Sequence, residues 1–129
     1  VIKAQVPVAF VPLPSALPAI ASGKLRVLGI ADATRHETLP QVPTISEAGV
    51  PGFEAAAWFG IYVPAATPRA LVESLNRGIV AGLRAVRTER FLLAQGLQAR
   101  YPSAAEFSEL MRTEAKKWTA VLDGLSPPY

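Results

Sequence analysis

Proline divides this chain. Nine of its 12 prolines lie at or before Pro68, and only Pro102 falls between there and Ser126. A proline ring fixes φ and removes a backbone donor, which keeps it out of helix interiors and central strands. The first half is therefore predicted to form short strands, turns and one-turn helices, and the second half longer helices.

Residues 5–11 read as a buried strand interrupted by Pro7, and hence at a sheet edge. Ser15 is expected to cap a short helix that Gly23 ends. Residues 25–31 (LRVLGIA) make a near-continuous apolar run of the kind found inside parallel sheets. Residues 32–42 are polar and read as a loop. Thr44-Ile45-Ser46-Glu47 is a capping box, and Gly49 and Pro51 stop the short helix it opens. Residues 56–63 (AAWFGIYV), aromatic and branched, are the second strong strand candidate.

Helix signals take over from there. Thr67 is expected as a cap with Pro68 in the first turn, followed by Leu71, Leu75, Ile79 and Leu83 as one apolar stripe. Thr88 opens a shorter helix ended by Gly96. Ser103-Ala104-Ala105-Glu106 is a second capping box. Its helix presents Phe107, Leu110, Met111, Trp118, Val121 and Leu122 on one face and ends at Gly124. Strands separated by helices define an α/β class, with a mostly parallel sheet flanked by helices.

Residue inventory removes most chemistry. The chain has no cysteine, a single histidine (His36) and two aspartates (Asp32 and Asp123), which excludes a disulfide, a thiolate nucleophile and the usual zinc or iron ligand sets. His36 sits in a polar loop far from any G-x-S-x-G elbow, which is absent, and reads as exposed. No G-x-G-x-x-G and no P-loop occurs. Nothing positive marks an enzyme, so no catalytic residue, no cofactor and no metal is expected. The net charge of +3 is mild and the basic residues are scattered. Arg84, Arg87 and Arg90 recur every three residues, but Glu89 interleaves them, and the stripe reads as a solvated helical face rather than a nucleic-acid contact.

Residues 6–21 are almost wholly apolar, follow Lys3 and end in Ala19-Ile20-Ala21-Ser22, like a signal-peptidase site. Pro7, Pro12, Pro14 and Pro18 oppose that reading, so the stretch is taken as part of the fold and the start of the chain as internal.

From about Leu13 onward the sequence resembles the carboxyl-terminal region of receptors of tripartite tricarboxylate transporters, the Bug or TctC family. Three ordered blocks carry the resemblance. The first is LPSALPAIASGKLRVLGIADATRHETLPQVPT, residues 13–44. The second is ISEAGVPGFEAAAWFGIYVPAATPRALVESLN, residues 45–76. The third runs from Gly96 through Pro102, Glu106 and Phe107 to Trp118.

The resemblance implies a two-domain, Venus-flytrap binding protein of the periplasm. Such a receptor closes on a small carboxylate and delivers it to membrane transporter subunits. Residues 1–24 would end the second lobe. Residues 25–129 would form the crossover strand and the carboxyl-terminal part of the first lobe, with the amino-terminal part of the family fold absent. The implied contacts are Phe10, Val11, Pro12, Ser15 and Ala16 at the first strand-to-helix turn, with Trp58 and Phe59 on the later strand. Backbone amides of Ser15 and Ala16 would take the anion. Of Trp58 and Phe59, each taken alone reads more simply as core. Where family members often carry a polar residue after the phenylalanine, this chain has Val11 and Pro12, which points toward an apolar ligand group or lost binding. The alternative is a truncated fragment that acts as an oligomerising or interaction module. A half-fold leaves an open edge, so self-association is expected.

Overall fold

The computed structural model describes residues 6–125. Its helices are α1 (Leu13–Ala21), α2 (Arg69–Leu83), α3 (Val86–Ala94) and α4 (Ala104–Asp123). Two compact units emerge. The first runs to Tyr62 and takes in Arg84–Ala99; the second comprises Val63–Leu83 and the chain from Arg100 onward. Helices α1 and α3 therefore belong to the first unit, and α2 and α4 to the second.

In the first unit, α1 begins earlier than expected. Pro12, extended at φ −60° and ψ 133°, is the flanking residue, and Pro14 lies in the first turn, where no amide is needed. Ser15 is not the cap: it sits inside the helix, and its amide and hydroxyl both donate to the Pro12 carbonyl, at 3.1 and 2.7 Å. Pro18 lies inside the helix without ending it. The helix closes where Gly23 turns to φ +70°, with Gly23 N–H on Ile20 O and Lys24 N–H on Ala19 O. That is the paired carbonyl satisfaction of a left-handed glycine cap.

Helix α3 starts at Val86, two residues before the expected Thr88, and ends in the same manner. Gly96 has φ +76°, with its amide on Leu93 O and the Leu97 amide on Leu92 O. Gly96 is also buried against α1. A Cβ there would stand 3.0 Å from Leu17 Cδ1, 3.1 Å from Leu13 Cγ and 3.3 Å from Pro14 N. One glycine thus ends α3 and seats it on the first turns of α1.

The expected sheet is not built among the described residues. Ile30 pairs with Thr44 in one isolated parallel bridge, through Ile30 N–H to Pro43 O and Ile45 N–H to Ile30 O, both 2.9 Å. Ala55 N–H adds a bond to Ala31 O at 3.0 Å. Gly29 permits this approach, since a Cβ would stand 3.1 Å from Ile45 Cγ1. Neither residues 25–31 nor residues 56–63 form a ladder. A strand needs a neighbour to pair with, and apolar composition alone does not supply one. The edge strand expected over residues 5–11 is likewise not formed over residues 6–11, which are exposed rather than buried; Gln5 lies outside the described residues. Ala16 and Val42 are the buried hydrophobic residues here, and Thr44, 2% exposed, the buried polar one.

In the second unit, α2 and α4 pack together, and Asn76 Nδ2 donates to Pro102 O at 3.1 Å just before α4. The Pro68 carbonyl accepts from Leu71 and Val72 amides, which puts Pro68 at the flanking position and Thr67 outside the helix. Helix α4 carries the full capping box. Ser103 Oγ accepts from Glu106 N–H at 3.2 Å, and Glu106 Oε2 from Ser103 N–H at 2.7 Å. The apolar stripes are present but open: Leu71, Leu75, Leu110, Trp118 and Leu122 remain exposed.

Two substitutions test this account by urea unfolding. Gly96→Ala forces both a left-handed alanine and an overpacked contact, and should cost about 1–3 kcal/mol. Ser103→Ala should cost about 1 kcal/mol. An unchanged midpoint for Gly96→Ala would mean that α3 does not seat on α1 this closely.

Candidate ligand site at the head of helix α1

The turn that enters α1 presents Phe10, Val11 and Pro12, all exposed. Pro12 fixes the direction of the chain, and Gly96 supports the helix beneath it. Phe10 stacks on Phe53, with ring centroids 6.1 Å apart and planes at 25°. The sequence reading did not single out Phe53. Its signal was local: an aromatic directly after a Pro-Gly turn is held where the turn puts it. Gly52 has φ +76° and donates its amide to Ser46 Oγ at 3.0 Å, while Phe53 N–H reaches Val50 O at 3.1 Å.

That turn hangs from the first capping box, which forms as expected. Thr44 Oγ1 accepts from Glu47 N–H at 3.0 Å, and Glu47 Oε2 accepts from Thr44 N–H at 2.7 Å. The helix expected after it is a single turn, with Ala48 N–H on Thr44 O before Gly49 swings to φ +123°. Arg35 completes the group, donating Nε to Glu47 Oε2 at 2.8 Å and Nη1 to Pro40 O at 3.2 Å. The Arg35 guanidinium, and next the Thr44 amide, hold the Glu47 carboxyl below its ordinary value.

The remaining candidates are distributed as follows. Ala16 is 6% exposed, so its side chain is core. The Ser15 amide and hydroxyl already converge on Pro12 O. Trp58 and Phe59 are neither of them core: they are 37% and 79% exposed. All seven candidates fall in the first unit.

Aromatic and aliphatic faces offer contact area, and the Ser15 hydroxyl is directed at a carbonyl rather than at a base. His36 is half-buried, not exposed as expected, with Nδ1 2.8 Å from Thr38 Oγ1 in its own loop and Nε2 enclosed. Among the described residues no group of His, Asp and Glu is placed to hold a metal ion, and no helix is long and apolar enough to cross a membrane.

This backbone recurs in a ligand-bound protein. R. palustris Rpa4515, solved with adipate, matches 86% of the chain with a TM-score of 0.74 and 33% sequence identity, over 37% of its own length. This likeness supports the expected α/β class, whereas the sheet itself is not formed among the described residues, which are helix-rich. The chain belongs to the tripartite tricarboxylate transporter receptor family, whose family model matches residues 1–126. A UPF0065 protein from the tcbD-tcbE intergenic region of a Pseudomonas species is 35% identical over 80% of this chain and 31% of its own length. Protein BugT of Bordetella pertussis is 31% identical over 85% of this chain and 34% of its own. The chain thus spans about a third of the length of these curated relatives.

The Glu47 carboxyl gives a pH prediction. Its lowered folded value means that it stabilises fully above the unfolded value, about 4.3, and that this is lost as pH falls through the folded value. Glu47→Gln should therefore lose less stability than the native chain between pH 6 and pH 3, by thermal unfolding. Glu106, lowered by the Ser103 amide, and Glu114, lowered by Lys117, have the same sign and leave the variant some acid sensitivity. Parallel curves for variant and native chain would refute the Arg35–Glu47 pairing.

Proposed function

We propose that this chain is part of an extracytoplasmic solute-binding receptor that captures a small carboxylate and passes it to a tripartite tricarboxylate-type membrane transporter. The observation that carries the reading is family membership joined to the adipate-bound neighbour, which shares this backbone over most of the chain. In this reading residues 1–24 end one lobe, residues 25–129 belong to the other, and the lobes close on ligand in the periplasm. The receptor binds without transforming.

The head of α1 supports a specific ligand chemistry. An acid with an apolar body, such as a linear dicarboxylate, lies with its methylenes on Phe10, Val11 and Pro12. One carboxylate takes the exposed Ser15 hydroxyl from Pro12 O, exchanging one acceptor for a charged and stronger one. Trp58 and Phe59 add apolar contact from the later segment. The Ser15 and Ala16 amides contribute through the partial positive charge of the helix start rather than as free donors.

Thermal unfolding against adipate and a panel of small carboxylates tests this. A ligand at a hundred times its Kd adds about 2.7 kcal/mol to stability. The expected result is a concentration-dependent rise in Tm for an acid with an apolar body, reduced in Phe10→Ala. If no acid raises Tm, or if Phe10→Ala responds as the native chain does, these residues do not hold the solute.

A further inference from the structure

The second unit gathers arginines that the sequence keeps apart. Between α2 and the start of α4 lies a groove of about 590 Å³, lined among others by Arg69, Glu73, Arg77, Ser108 and Arg112. Its lining thus carries three guanidinium groups against one carboxylate. Arg69 Nε meets Glu73 Oε1 at 2.8 Å, with the Arg69 side chain 90% exposed. Arg112 Nη2 meets Glu109 Oε2 at 3.2 Å, and its Nε donates to Ser108 O at 3.3 Å. Neither pair closes the groove to a partner. Exposed ion pairs contribute only about 0–1 kcal/mol, and a guanidinium has five N–H donors, of which these contacts use few.

We propose that this groove is a docking site for an acidic, extended segment of a partner protein. The spacing favours a segment over a single anion. Arg69 and Arg77 are two turns apart on α2, about 12 Å along the axis. A small anion is far shorter than that spacing. Carboxylates four residues apart on an extended chain are about 13 Å apart, which matches the spacing of the two arginines, and Arg112 on α4 lines the same groove. Glu73 favours a peptide over a polyphosphate strand, because a carboxylate accepts a hydrogen bond from a peptide amide and a phosphodiester backbone has no such donor. This inference does not depend on the carboxylate-receptor reading, since none of the groove residues is among the solute candidates.

The probe is a fluorescein-labelled 12-residue peptide with glutamate at every second position, followed by anisotropy on the full chain. Binding is expected at low salt and should weaken steeply by 0.5 M. The Arg77→Glu and Arg112→Glu double variant should bind at least tenfold more weakly. Arg87→Glu with Arg90→Glu, the same charge change on α3, should bind as the native chain does. Arg77→Gln guards against misfolding: it should weaken binding several-fold with an unchanged circular dichroism spectrum. Equal loss in the two double variants would reduce the effect to bulk charge and overturn the proposal. So would tighter binding of an oligothymidine of matching length, binding insensitive to Arg77→Gln, or no binding at all.

Discussion

Thr44 is held from several directions at once. Its amide and hydroxyl are engaged with the two ends of Glu47, and its position in the chain stands opposite Ile30, whose amide and carbonyl are taken by Pro43 and Ile45. At 2% exposure it has almost no water to fall back on, and a buried donor left unpaired costs about 1–3 kcal/mol. The bonds are thus conditions for burying that segment. Through Glu47 the same node fixes Arg35 and the loop up to Pro40. Through the turn that follows it sets Phe53, and Phe53 sets Phe10. The candidate site at α1 therefore depends on a hydrogen-bonded threonine 28 or more residues further along the chain.

What was legible in the sequence follows the reach of each interaction. Both capping boxes formed as read, because a box is closed within four residues. Gly23 and Gly96 ended their helices as read, again a local matter of φ. Helix starts at prolines were displaced, because Ser15 and Thr67 were expected to cap, and Pro12, three residues before Ser15, and Pro68, one after Thr67, hold the flanking positions instead. The strands were misread for a different reason. Apolar composition reports what a segment prefers, and a ladder reports what lies next to it; residues 25–31 find one bridge. The Phe10–Phe53 stack and the arginine groove join residues 43 apart or helices separated by a whole intervening element, and no pattern along the chain announces either.

The same distinction bears on the exposed apolar surface. Phe10, Phe59 and Ile61 are more than two-thirds exposed, and burying each would contribute about 1.5–3 kcal/mol. Such sums are comparable with the whole stability of a small domain. The matched relatives carry roughly two-thirds of their length outside the shared region, and among the described residues the buried apolar side chains are those of Ala16 and Val42. Recognition of the family from sequence succeeded where recognition of the sheet did not, because a family block is carried by residue order along the chain, whereas a ladder needs a neighbouring segment.

The lone bridge at Ile30 leaves the rest of residues 25–31 without a ladder, and Lys24 and Arg26 stand exposed at its approach. In an extended chain alternate residues share a face. Two copies meeting there in parallel register would set ammonium against ammonium and guanidinium against guanidinium, about 5 Å apart. Each such pair costs about 0.8 kcal/mol even in water. In that one register the basic flank of residues 25–31 therefore opposes a second copy, in the way charged side chains blunt an exposed strand edge.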